Sequence, residues 1–160
     1  MRTKIVNHPA MKTKPFSHEV DIQLIDQAIK ALKTSYAPYS KFKVGAAILL
    51  ADRSVALGSN IENASYPLCL CAERTALAHA HMLSPGMQIV AIAVVCKSSK
   101  IQLKEPGYPC GACRQVISEF EYKQASPIRI LVSTVDKKVI KAFDSIQDLL
   151  PHSFNGNFLV

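Results

Sequence analysis

Apolar residues recur at helical spacing early in the chain. Val20, Leu24, Ile25, Ala28, Ile29 and Leu32 fall on one face of a helix expected from Ser17 to about Ser35. Ser17 is placed to cap it, and Glu19 and Asp21 complement the positive end of the helix dipole. The segment Tyr36-Ala37-Pro38-Tyr39-Ser40 breaks that pattern, and the period then changes. Residues 43–51 form an apolar run ending at Asp52-Arg53, and 55–60 follow, as two strands around a short polar turn would. A loop over 61–70 leads to a second helix, 71–83, packing through Ala72, Ala76, Leu77 and Ala80 and stopped by Ser84-Pro85-Gly86. Residues 89–96 are nearly uniformly apolar, which describes a strand covered on both faces. A polar loop over 98–109 precedes a third helix, 110–120. Residues 128–133 and 139–143 flank Asp136-Lys137-Lys138 as a second hairpin, and Ser145 heads a short helix over 146–150.

The resulting order, α, β-β, α, β, α, β-β, α, fits an α/β fold: a three-layer α/β/α sandwich around a five-stranded mixed sheet. A length of 160 residues suits one domain with a proper core. Residues 1–16 lack a sustained hydrophobic period and contain Pro9 and Pro15, so they read as a basic, flexible extension, with the folded domain spanning 17–160.

Charge changes the picture little. The net charge is +7, but Arg2, Lys4, Lys12 and Lys14 supply four of those charges within residues 1–18, where there is no acid. The remaining +3 is scattered, without the interleaved basic and aromatic stripe of a nucleic-acid groove. No run approaches the ~20 apolar residues of a membrane span, and the basic N-terminus lacks the apolar stretch of a signal peptide, so a cytoplasmic protein is expected.

The candidate chemistry lies in two stretches, Cys71-Ala72-Glu73-Arg74 and Pro109-Cys110-Gly111-Ala112-Cys113-Arg114-Gln115, each opening an expected helix. Cys110 and Cys113 fall on one face of a helical turn, as two corners of a zinc tetrahedron, and Cys71 can supply a third. Three protein ligands leave the fourth position for water, the mark of a catalytic site, and Glu73 is placed to handle that water's proton. Helix starts favour thiolates, because unpaired amides and the dipole lower a thiol's pKa there. Three thiolates leave a net charge of about −1 on a zinc dication. Arg74 could offset it by hydrogen bonding to a ligand sulfur, or be an ordinary surface arginine.

Two cysteines are left over. Cys96 reads as a buried strand residue, and Cys69 could offer a competing fourth thiolate that would close the site. His79 and His81 lie two turns or more beyond Cys71, too far along the helix to join it on one ion.

The spacing is similar to the zinc deaminase pattern, His or Cys-x-Glu followed by Pro-Cys-x-x-Cys. With Tyr39-Ser40-Lys41-Phe42-Lys43-Val44-Gly45-Ala46-Ala47, Asn60-Ile61-Glu62-Asn63-Ala64 and Cys71-Ala72-Glu73-Arg74-Thr75-Ala76 in order, the chain from about residue 18 onward resembles the cytidine deaminase family, in its small three-cysteine, homotetrameric class. The resemblance implies hydrolytic deamination of cytidine and deoxycytidine in pyrimidine salvage, with one zinc per chain. It implies Asn60 and Glu62 on the ribose, Phe42 against the pyrimidine and a backbone contact from Ala72. Tyr66 and Phe154 match positions that reach a neighbouring subunit's active site, so the tetramer would complete each site. Phe42, Tyr66 and Phe154 are equally the kind of residue that packs a local core. Tyr108 departs from the small residue or proline more usual there and could alter a pocket wall. Another small aminopyrimidine nucleoside as substrate, and a nucleic-acid-binding zinc module, are the alternatives.

Overall fold

The computed structural model of the chain describes residues 4–7 and 18–159. Its regular elements are β1 (Lys4–Asn7), α1 (His18–Ala31), β2 (Phe42–Leu50), β3 (Val55–Ser59), α2 (Ala72–Leu83), β4 (Ile89–Ser98), α3 (Gly111–Gln124), β5 (Arg129–Ser133) and β6 (Val139–Phe143). The strands form one sheet in the order β1-β6-β5-β4-β2-β3. β4–β5 and β6–β1 are parallel and the other pairs antiparallel, so the sheet is mixed as expected.

Period-two alternation sorts the strands' apolar residues into two cores. Ala46, Ile48, Ile92, Val94, Ile130 and Val132 pack with Ala72, Ala76 and Leu77 of α2 and Ile117 of α3. Their neighbours Ala47, Ala91, Ala93, Val95 and Leu131 face Leu24, Ile25 and Ala28 of α1. Helices on both faces make the α/β/α sandwich. Gly45 permits the close seating of α1, since a Cβ there would lie 2.1 Å from the Ala28 carbonyl oxygen. An ion triad fastens α1 to the sheet: Arg129 pairs with Asp21 at 3.0 Å and with Asp144 at 2.7 Å.

Several boundaries differ from expectation. The sheet has six strands rather than five, because Lys4–Asn7 pairs in parallel with Val139–Ala142 of β6. That part of the N-terminal extension is therefore not outside the fold. The backbone groups on the free side of β6 form an edge that an added strand can satisfy. The rest of the expected flexible extension, and the Ser17 cap, lie outside the described residues. β4 runs on to Ser98 because Phe42 and Lys43 give Ser98 and Lys97 ladder partners. α3 continues to Gln124, with no glycine or proline to stop it, and ends at Ala125 in the left-handed region, φ 50°. The short helix expected over 146–150 is a 3₁₀ turn, Ile146–Asp148, headed by Ser145 as anticipated, with its hydroxyl accepting from the Gln147 amide. Among the described residues no helix is long and apolar enough to cross a membrane.

Candidate active site

Cys71 and Cys110 are the N-cap residues of α2 and α3, both with extended backbones, and neither side chain caps its helix. Their carbonyls accept the first helical bonds, from Thr75 and Arg114 at 3.1 and 2.9 Å, while the sulfurs turn toward each other. Cys113 follows in the first turn of α3 and is fully buried. The three sulfurs lie within 4.8 Å of one another, with Cys71–Cys110 at 3.9 Å and Cys110–Cys113 at 3.5 Å. A tetrahedral zinc with ~2.3 Å bonds to sulfur requires sulfurs ~3.8 Å apart, so the cluster fits zinc.

The chain builds this convergence locally. Gly58 lets β3 lie directly on the start of α2: a Cβ there would meet the Ala76 nitrogen at 2.3 Å and the Ala72 oxygen at 2.5 Å. The Thr75 hydroxyl donates to the Ser59 carbonyl at 3.0 Å and fixes the same contact. Arg114 binds the Pro109 carbonyl at 2.8 Å and that of Leu149 at 2.7 Å, securing the chain that enters Cys110. Glu121, at the far end of α3, accepts from the Ile128 and Ile146 amides and the Ser145 hydroxyl, which sets the helix against the strands.

The electrostatics suit a cation. Hydrogen bonds from Cys113, then from Cys110 and Arg74, hold the Cys71 thiol down at about 5 against its burial. Cys113 is pushed in the other direction, chiefly by its bond to Cys71 and by burial, so Cys71 is the first of that pair to ionise. Glu73 is 4% exposed, and burial raises its pKa above the ordinary carboxylate value, with the Cys71 charge adding to the shift. Arg74 donates from Nη2 to the Cys69 carbonyl at 2.9 Å and lies 4.0 Å from the Cys71 sulfur, while its Nε is buried without a partner among the described residues.

Cys69 stands outside the cluster: its sulfur accepts from the Asn63 amide at 3.2 Å. The fourth corner is therefore not closed by a protein thiol among the described residues. His79 binds the Leu57 carbonyl through Nδ1 and takes no part either. Cys96 is buried in β4, where desolvation pushes its thiol up to about 12.

The expected substrate contacts fall into two groups. Asn60 and Glu62 flank Ile61, whose backbone exchanges two hydrogen bonds with Leu70, next to Cys71. Asn60 Nδ2 donates to the Phe42 carbonyl at 2.9 Å, and its Oδ1 accepts from the Val44 amide and the Ser35 hydroxyl. Backbone partners of opposite kind fix which way this amide points. Both oxygen lone pairs are taken, leaving one N–H. Asn60 is thus left with a single donor for a ligand, because Phe42 and Val44 of β2 and the Ser35 hydroxyl use the rest. Phe42 is half-buried at the start of β2, and Ala72 is buried at the start of α2.

Tyr66 and Phe154 form the second group and are not local core, being 69% and 57% exposed. The Tyr66 and Tyr39 rings pack edge-to-face, and Phe154 stacks on Phe158 with its carbonyl held by Gln115. The Tyr108 ring packs edge-on against Phe143, with the Lys141 ammonium 5.6 Å from its centre, so its known contacts are with β6. The Ser35 and Ser40 hydroxyls, which bond Asn60 and Glu62, are partners that residue spacing alone does not reveal.

Residues 18–126 match the family model for the cytidine and deoxycytidylate deaminase zinc-binding region. A cytidine deaminase of Halalkalibacterium halodurans is 56% identical over 97 residues, covering 60% of this chain and 68% of the relative. One from Mycoplasma genitalium is 34% identical over 131 residues, covering 82% and 92%. The crystal structure of cytidine deaminase from Burkholderia pseudomallei superposes with a TM-score of 0.72 at 41% identity, over 87% of this chain and all of that one.

Proposed function

The chain belongs to the cytidine and deoxycytidylate deaminase family and is a zinc-dependent hydrolytic deaminase; we propose that it converts cytidine and deoxycytidine to uridine and deoxyuridine, releasing ammonia, in pyrimidine salvage. The observation that carries this is the convergence of the Cys71, Cys110 and Cys113 sulfurs beside a buried Glu73.

Cys71, Cys110 and Cys113 hold the metal as thiolates, and Arg74 compensates their surplus charge. When bound, zinc supplies a Lewis acid that acidifies water at neutral pH. Glu73 takes the proton from the attacking water, whose oxygen adds to C4 of the pyrimidine, and delivers that proton to ring N3. It then moves the remaining proton of the added hydroxyl to the exocyclic nitrogen. The C4–N bond breaks, ammonia leaves and C4 becomes a carbonyl. Burial suits Glu73 to this shuttling, since a raised pKa brings taking and giving a proton closer to balance near neutral pH. Phe42 lies against the pyrimidine and the Ala72 backbone approaches the base. Asn60 offers the sugar one N–H, and Glu62 accepts from it.

The enzyme works as a homotetramer in which Tyr66 and Phe154 complete neighbouring sites. Their exposure supports this, as do Tyr36 and Phe158, exposed by 56% and 70%. A cytoplasmic setting accords with five cysteines that remain free thiols. The test is ultraviolet assay of cytidine and deoxycytidine turnover with zinc quantified per chain. Turnover at one zinc per chain is expected; full metallation without turnover of either nucleoside contradicts it.

A further inference from the structure

Glu62 is bound more fully than a free sugar-binding carboxylate needs to be. Its Oε2 accepts from the backbone amides of Tyr39 and Ser40 at 2.8 and 3.3 Å, and its Oε1 accepts from the Ser40 hydroxyl. The same hydroxyl oxygen accepts from the Phe42 amide at 2.9 Å, which fixes where its proton points. Ser40 thus joins the residue assigned to the pyrimidine with the residue assigned to the sugar.

The surrounding chain is shaped for this link. Lys41 sits between the two with φ 60°, a left-handed conformation rare outside glycine. Its amide closes on the Ala37 carbonyl at 3.2 Å, and its carbonyl accepts from the Ser99 amide at 3.2 Å. The Tyr36 backbone also pairs with Asn60 and Glu62, so residues 36–42 and 60–62 form one unit. A carboxylate has about four acceptor positions, and the described residues fill three, leaving one.

We propose that Ser40 is a positioning residue for nucleoside binding: its hydroxyl, set by the Phe42 amide, holds the Glu62 carboxylate in one orientation, with a single acceptor position left for the sugar. The Ser40 bond is also the largest influence keeping Glu62 below the ordinary carboxylate pKa, which agrees with an acceptor-only role. This rests on the assignment of Glu62 to the sugar.

Steady-state kinetics on Ser40→Ala, Ser40→Thr, Glu62→Gln and the Ser40→Ala/Glu62→Gln double variant test it, with thermal midpoints confirming folding. Ser40 is exposed, and Ser40→Cys gives the same comparison through a weaker donor if the alanine variant does not fold. Loss of a hydrogen bond to a charged group predicts a KM for cytidine raised about tenfold in Ser40→Ala, with kcat within about threefold. Ser40→Thr, which keeps the hydroxyl, returns most of the loss. In the Glu62→Gln background, removing the Ser40 hydroxyl adds less than about twofold, because coupled residues are not additive. An unchanged KM in Ser40→Ala, or the same fold-loss in both backgrounds, overturns the positioning role while leaving the sugar assignment intact. An unchanged KM in Glu62→Gln alone overturns the sugar assignment itself.

Discussion

On the α1 face of the sheet, buried charge is matched within the protein: Arg129 reaches Asp21 with Nε and Nη2 at 3.3 and 3.0 Å and Asp144 with Nη1 at 2.7 Å. Around Glu73, on the α2–α3 face, no ion pair forms among the described residues. Glu73 is 4% exposed, three sulfurs point at one another, and the Arg74 Nε has no partner among the described residues. Removing Asp21 leaves Arg129 with Asp144 alone, whereas the second group gathers thiols and a carboxylate that can hold a cation. The first arrangement locks a helix onto strands. The second keeps thiols and a carboxylate ready for metal and substrate, as perturbed groups in catalytic sites are.

Removing a ligand breaks the α2–α3 face most severely. Cys113→Ser is expected to lower cytidine turnover more than about 100-fold, beyond what loss of an outer partner typically costs, and to abolish stoichiometric zinc by atomic absorption. A fully zinc-loaded variant would remove Cys113 from the ligand set. Asp21→Ala does the reverse on the α1 face. Denaturant unfolding should show a loss of about 1–3 kcal/mol, since Arg129 keeps Asp144 as a partner, with turnover per folded molecule near the parent's. A stability change below 1 kcal/mol, a threshold typical of surface pairs, would make the triad ornamental.

Acid sharpens the contrast further. Thiolates bind the metal and thiols do not, and Cys71 is held down at about 5, so its charged form persists as pH falls until near that value. Zinc content and turnover should therefore fall together on acidification, read by metal analysis and assay of the same samples; turnover lost while zinc stays bound would contradict this. The smallest effect is expected at Cys96, which is 7% exposed with its thiol pushed up to about 12. It should stay unalkylated by iodoacetamide in the native protein at pH 8 and react only on unfolding, as read by peptide mass spectrometry.

The site was more legible in the sequence than its immediate support. Cys71, Cys110 and Cys113 declare themselves through spacing, and the helix starts they occupy follow from local pattern. The apolar runs 43–51 and 89–96 likewise read as strands, the second of them covered on both faces. Lys4–Asn7 could not be read as a strand, because four residues carry almost no period and the partner edge lies at 139–142, set only by tertiary pairing. The occupied valences of Asn60 and Glu62 were hidden for a related reason. They depend on Phe42, Val44 and Ser40, some 16 to 22 residues away in sequence and adjacent only once β2 is paired. Residue type shows what a side chain can bond; folding decides what remains to bond with.

The central claim is that the three thiolates hold zinc while Glu73 carries the protons. Glu73→Gln keeps the shape and removes the base, so cytidine turnover measured together with zinc per chain is the most direct test. One zinc per chain with turnover reduced by about 10²- to 10⁴-fold, the usual worth of a positioned acid–base group, is the predicted result. Near-normal turnover in the fully metallated variant would contradict it.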